Sequence, residues 1–177
     1  MEVSSKIKGS LTIKDMVIIE ERAREVKENG FIVEIGCYYG KSSSIIFLSK
    51  KESVIFYTID SFTGTEVDKN KEQYEIMIQN MVNFNFYPRI IYSSSQKAYY
   101  LFEDKSIDLL FIDGWHLEES VLSDIGNFLP KMKKGSIMMG HDWETYKSVN
   151  NAVLHFFNKD RIKTNLQIGS SIWEVLI

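Results

Sequence analysis

Phe31-Ile-Val-Glu-Ile-Gly36-Cys-Tyr-Tyr-Gly40-Lys-Ser-Ser43 decides how this chain folds. An apolar run stops at Gly36, turns, passes Gly40 and enters a helix-like segment. A second apolar run, Val54–Asp60, closes on an acid. A glycine turn followed about 20 residues later by a carboxylate is how a βαβ unit holds a nucleoside: backbone approaches the ligand at glycine, and the acid takes ribose hydroxyls. The stretch therefore predicts a site for an adenosine-containing cofactor.

Outward from that turn, apolar runs alternate with helical patterns. Leu11 to Asn29 reads as an amphipathic helix, with Ile13, Met16, Val17, Glu20, Ala23 and Val26 three or four apart, Thr12 or Ser10 as cap and Gly30 as stop. Strands are predicted at Phe31–Gly36, Val54–Asp60, Arg89–Ser94, Ile107–Asp113 and Ser136–Gly140. Helices are predicted at Lys41–Lys50, Lys71–Asn85, Ala98–Phe102, Glu118–Leu129 and Tyr146–Asn158. Ile107–Asp113 is apolar on both faces, as a central parallel strand should be. Thr164–Ile168 and Ser171–Ile177 follow with only Gly169-Ser170 between them, the pattern of a hairpin. The expectation is an α/β chain with a mostly parallel sheet and an antiparallel edge.

Bulk properties narrow the class. At 177 residues, one domain is the simplest organisation: a helical segment over residues 1–30 and a core over 31–177. Two prolines argue against linkers, and a net charge of −3 disfavours non-specific nucleic-acid binding. Cys37 is the sole cysteine, so no intrachain disulfide forms, and a reducing compartment fits. No apolar run reaches membrane-spanning length and the N-terminus lacks a signal-peptide core, so a soluble cytoplasmic protein is expected.

The glycine loop admits three readings. Gly36-x-x-x-Gly40-Lys41-Ser42 approaches a phosphate-binding P-loop, with Asp113 as its magnesium acid, but is one residue too short to wrap its amides around a phosphate. A dinucleotide fold needs Gly-x-Gly-x-x-Gly, and Cys37 and Tyr38 occupy that space. The third is a resemblance: Val33-Glu34-Ile35-Gly36 with Gly40 is similar to the first motif of class I S-adenosylmethionine-dependent methyltransferases, whose cofactor has no phosphate. S-adenosylmethionine carries a sulfonium, an amino-acid head and a bare ribose. Glu34 would anchor the ammonium, or is a strand-end ion pair. Asp60 would take both ribose hydroxyls, or is a turn residue or cap. Ser42 or Ser43 at the helix N-terminus would meet the carboxylate, where dipole and free amides favour an anion.

Phe111-Ile-Asp113-Gly-Trp-His116, Asp124 and Gly140-His141-Asp142 extend the resemblance, in order, to the small family that includes sugar and macrolide O-methyltransferases and, more distantly, the catechol type. The match runs from about Phe31 to Trp143. It implies a Rossmann-like three-layer sandwich with a seven-stranded sheet ending in a hairpin. It also implies a cofactor set that adds Tyr39, Ser61, Ser94, Ser95, Asp113 and Trp115 to Glu34, Gly36, Gly40, Ser42, Ser43 and Asp60, with Ser94-Ser95 beside the adenine.

Asp113, His141 and Asp142 fall at neighbouring strand ends, which in a parallel sheet face one crevice. Together they would hold a divalent cation, magnesium or manganese, that lowers the pKa of a substrate hydroxyl. In the catechol-type relatives two acids and an asparagine ligate the metal and a lysine is the base. Here His141 departs from that set, and His116 stands in the lysine position, suited to general-base work near neutral pH. The alternative is a loop-capping Asp113, a packing His141 and a metal-free reaction with only Asp142 touching substrate. Trp115 and Trp143 either stack on adenine, wall the acceptor site or pack in the core. His155 is expected at the surface. The predicted activity is methyl transfer to a small-molecule or sugar hydroxyl, with Asp113, His116 and Asp142 catalytic. A P-loop-like NTPase and a non-catalytic cofactor-binding protein of the same fold are the alternatives. Acceptor recognition is expected from the first helix, the 61–70 loop or the second subunit of a homodimer.

Overall fold

The computed structural model describes residues 2–63, 72–164 and 166–177. Seven strands alternate with helices. They are β1 (Phe31–Ile35), β2 (Ile55–Asp60), β3 (Arg89–Tyr92), β4 (Ile107–Ile112), β5 (Met132–Gly140), β6 (Ile162–Thr164) and β7 (Trp173–Leu176). The helices are α1 (Glu2–Ser5), α2 (Ile13–Glu25), α3 (Lys41–Ser49), α4 (Gln73–Phe84), α5 (Ser95–Ala98), α6 (Glu118–Phe128) and α7 (Lys147–Phe156). The sheet order is β3-β2-β1-β4-β5-β7-β6, parallel through β5 and antiparallel at β7 and β6. This is the α/β Rossmann-like sandwich expected, with the antiparallel hairpin at one edge.

Alternation along the strands divides the core. Ile32, Phe56, Leu109, Phe111 and Met139 point to one face, against Met16, Ile18, Ile19 and Ala23 of α2 and Ile45 and Ile46 of α3. Val33, Ile35, Leu110, Ile112 and Met138 point to the other, against α6 and α7 through Val121, Ile125, Phe128, Val149, Ala152 and Val153. The central strands β1 and β4 are buried on both sides because each side meets a helix layer, whereas the edge strands β3 and β6 are not.

Three local expectations are corrected. The buried face of α2 is Asp15, Met16, Ile18, Ile19 and Ala23, while Ile13 is 70% exposed. Ile13 sits in the first turn, beside the cap and beyond the edge of the layer it would pack on. The hairpin is also displaced. Its first strand is Ile162–Thr164, with Ile162 opposite Val175, and Leu166–Ile168 belongs to the connection. A buried Asp15 draws Ser170 and Ser171 towards α2 and so takes that connection out of the sheet. β5 starts at Met132 rather than Ser136 because the chain bulges past Gly135 (φ 81°) and stays paired with β4.

The order reverses between β1 and β4, the switch point at which open α/β sheets bind ligands. The residue after each strand keeps one more ladder bond. Ser93 N–H donates to Asp60 O (3.0 Å), Gly36 to Ile59 (2.9 Å), Asp113 to Ile35 (2.8 Å) and His141 to Ile112 (3.1 Å). These bonds set four chain turns in a row along the carboxyl edge.

Candidate active site

The glycine turn occupies the β1 end of this row. A Cβ on Gly36 would lie 2.3 Å from Asp113 O, so glycine is required where the β1 and β4 loops cross. Gly36 (φ 85°), Tyr38 (φ 49°) and Gly40 (φ 89°) are all left-handed, which coils the loop tightly before α3.

The acids beside the turn are already engaged by neutral groups. Asp60 Oδ2 accepts from the Cys37 and Tyr38 amides at 2.9 and 3.1 Å, and Oδ1 accepts from Phe62 N–H at 2.7 Å. Asp60 thus fixes the glycine loop from the next strand, and its half-buried carboxylate keeps further lone pairs. Glu34 is fully buried; its Oε2 accepts from Ser43 Oγ and from Thr58 Oγ1 (2.7 Å), and its Oε1 has no partner. Burial pushes the Glu34 carboxyl up to about 7, against the opposing hydroxyls of Ser42, Ser43 and Thr58.

The two serines at the start of α3 are also turned inward. Ser42 and Ser43 are buried, and Ser43 gives its hydroxyl to Glu34. What this helix end turns towards a ligand is backbone N–H rather than hydroxyl. Lys41 reaches away to Gly9 O (3.0 Å), not into the loop as a P-loop lysine would. Tyr39 is buried in a cluster with Ile7, Cys37, Phe62, Met77 and Phe86.

At the β3 end, Ser95 is buried and donates to Asp124 of α6, while Ser94 stays half-buried at the start of α5. Burial lifts the Asp124 carboxyl to about 6 against that hydrogen bond. Ser61 pairs with Thr63 through their hydroxyls at 3.0 Å. The 61–70 loop, one of the places from which acceptor recognition is expected, lies outside the described residues from position 64 onward.

The β4 and β5 ends bring a different chemistry together. Asp113, His141 and Asp142 each offer a ligand atom, all within 4.8 Å of one another. His141 is 7% exposed and faces three carboxylates: Nδ1 lies 3.5 Å from Asp113 and 3.4 Å from Asp142, and Nε2 lies 3.4 Å from Asp15. Burial alone would lower its pKa, but these acids outweigh it and push it up to about 12. His116 Nε2 lies 2.6 Å from Asp142 Oδ2, and its ring stacks on Tyr146 at 4.3 Å and 4°. Burial disfavours charge on His116, but the bond to Asp142 outweighs that and raises its pKa. Asp142 itself is held well below the usual carboxylate range; burial opposes this, and the two imidazoles prevail. Its φ of 67° is left-handed, and its carbonyl caps the next turn by accepting from the Thr145 and Tyr146 amides.

The crevice walls are Ile112, Gly114, Val121, Val149 and Trp173, with Trp115 at its mouth. Trp115, Leu117 and Tyr146 are 43%, 55% and 42% exposed and form an apolar rim. Trp143 packs against the core instead, and His155 is exposed. Tyr146, Trp173 and Asp15 were not legible as site residues. Tyr146 and Trp173 read as element ends, and Asp15 as an ordinary helix position. Only the Thr12-x-x-Asp15 spacing, a capping-box pattern, marked Asp15 at all.

Residues 33–143 match the family model described as a methyltransferase domain, which is more than half of the chain. An uncharacterized protein, R132, of Acanthamoeba polyphaga mimivirus is 27% identical over 128 residues, covering 68% of this chain. The chain spans only 13% and 55% of the lengths of the two curated relatives it matches. The O-methyltransferase NovP superposes with a TM-score of 0.72 at 17% identity, over 95% of this chain and 82% of that one. An rRNA methylase from Streptococcus thermophilus superposes with a TM-score of 0.62 at 12% identity, over 94% and 96%. These two likenesses carry the fold, while the family match carries the class: the chain belongs to the methyltransferase domain family.

Proposed function

We propose that the chain moves the methyl group of S-adenosylmethionine to a hydroxyl oxygen of a small molecule or sugar. The single observation that supports this most is the His116–Asp142 contact of 2.6 Å beside the Asp113–His141–Asp142 cluster, one strand from the glycine turn. It supports the reading because a base and acidic ligands at neighbouring strand ends would serve an acceptor that meets a methyl group held on the β1 side.

The donor set suits a divalent cation. Two carboxylates and one imidazole fit manganese or magnesium, and the Asp15 contact leaves Nδ1 of His141 as the nitrogen turned to the two acids. When bound, such a cation supplies Lewis acidity to an acceptor hydroxyl. The chain does the rest. With Nε2–H of His116 donating to Asp142, Nδ1 is left to take the acceptor proton, and Tyr146 keeps the ring planar to its own. Trp115, Leu117 and Tyr146 offer apolar faces to an acceptor ring. Asp60 holds the loop that faces the ribose and has lone pairs left for its hydroxyls. The transfer is an in-line displacement, and positioning supplies much of its rate. The net charge of −3 favours a small acceptor over nucleic acid.

Calorimetry with S-adenosylmethionine is the first test, and micromolar binding is expected. No binding at high micromolar concentration would sink the reading. Activity assays after dialysis against chelator, using a labelled methyl donor and a panel of hydroxylated acceptors, then test the cation. Loss restored by manganese or magnesium supports it, and full retention leaves His116 alone as proton acceptor.

A further inference from the structure

We propose that Asp15, on α2 and outside the matched family segment, is the positioning residue that commits His141 to face the Asp113–Asp142 pair through Nδ1. The inference rests on the proposed cation site. Asp15 is completely buried and every hydrogen bond it makes is accounted for. Oδ2 accepts from Thr12 N–H (2.8 Å) and Thr12 Oγ1 (2.7 Å), and lies 3.4 Å from His141 Nε2. Oδ1 accepts from Ser170 Oγ (2.8 Å) and Ser171 N–H (2.9 Å).

These contacts join three remote pieces of chain: the start of α2, the connection before β7 and the end of β5. A helix cap needs only one carboxylate oxygen, at an exposed helix end. Here the N-cap residue Thr12 is exposed but the capping carboxylate of Asp15 is buried, its second oxygen is used, and an imidazole is added. The carboxylate has no donor capacity, so the His141 nitrogen facing it carries the proton. With Nε2–H on Asp15, Nδ1 is the nitrogen turned to Asp113 and Asp142, at 3.5 and 3.4 Å, and the one that would give a cation its lone pair. The ring cannot be flipped to exchange its nitrogens without stranding Asp15. Asp15 therefore makes a ligand of a histidine that would otherwise bridge acids in either orientation.

The test compares manganese binding, by calorimetry on the whole chain, in wild type, Asp15→Asn and Thr12→Ala. Asp15→Asn offers His141 an amide that serves either tautomer, and binding is expected to weaken about 10–100-fold, the range found when a metal-ligating histidine loses its orienting partner. Thr12→Ala removes the cap hydroxyl and leaves the Asp15–His141 contact, and binding is expected within about twofold of wild type, since it changes nothing at the ligand. Equal binding by wild type and Asp15→Asn, or equal weakening in both variants, overturns the proposal. Imidazole nitrogen-15 spectra give a readout that needs no variant. In wild type loaded with magnesium, His141 must keep its proton on Nε2, and a proton on Nδ1 overturns the assignment even if Asp15→Asn does not fold. Should wild type bind no cation, the cation reading has failed separately. The spectra of metal-free wild type then decide: an Nε2–H slow to exchange supports the proposal, and one that exchanges as fast as a free imidazole proton overturns it.

Discussion

The two halves of the carboxyl edge satisfy their acids in opposite ways. On the β1–β2 side, Asp60 and Glu34 are held by backbone amides and hydroxyls, groups that do not titrate. On the β4–β5 side, Asp113 and Asp142 are held by imidazoles, which do. Fixed neutral donors would suit the ribose and amino-acid groups of the proposed cofactor, which neither gain nor lose a proton in the transfer. Titratable partners suit the place where a proton must leave. The division of labour is therefore written into the partners of the acids, although the acids themselves are of one kind.

The largest blow to this comparison comes from Asp142→Asn. Methyl transfer should fall by about 10²–10⁴, the worth of a positioned acid–base group, while S-adenosylmethionine affinity measured by calorimetry stays within about threefold. A parallel loss of cofactor affinity would mean that the halves are not separate.

Glu34→Gln tests the non-titrating side through stability. Glu34 is the exception there, lifted from 4.5 to about 7 by burial. The folded chain then holds a proton between these values that the unfolded chain has lost. Wild-type stability should fall as pH rises through that window, by up to about 3 kcal/mol at roughly 1.4 kcal/mol per unit. Urea unfolding at pH 5 and pH 8 should show a steeper loss in wild type than in Glu34→Gln, in which Asp124, His116 and His141 still contribute a fall of the same sign.

Asp60→Asn should weaken S-adenosylmethionine binding by about tenfold or more, since two loop amides and the ribose lose a charged acceptor worth about 1.5–3 kcal/mol. Chemistry at saturating cofactor should be little changed, which a KM-against-kcat comparison would read. Ser43→Ala gives the smallest effect, about 1 kcal/mol of stability from one lost hydrogen bond, seen as a drop of a few degrees in Tm. It should push Glu34 further upward and leave manganese affinity untouched.

Much of the sheet was legible because each strand reports its own period and each turn its own glycine or proline. The Asp113, His116 and His141-Asp142 grouping was legible because a parallel sheet carries every strand end to one edge. Orientation was not. Ser43 reads as an exposed helix-start serine, yet its hydroxyl turns to a buried glutamate nine positions earlier. Ser95 reads as an adenine contact, yet it serves Asp124. Asp15 reads as an ordinary helix position, yet it holds partners more than 150 positions away. Periodicity says which side of an element is buried; it carries no information on which of two buried polar groups will find the other.

The extra ladder bonds beyond the strand ends have a consequence for motion. The amides of Ser93, Gly36, Asp113 and His141 each donate to a neighbouring strand, so opening the crevice at any of them means breaking sheet, not bending a loop. In hydrogen exchange these four protons should be among the slowest in the chain, released near the free energy of global unfolding. A proposed active site with that signature is a rigid shelf, and among the described residues its adaptability lies in the side chains at its rim.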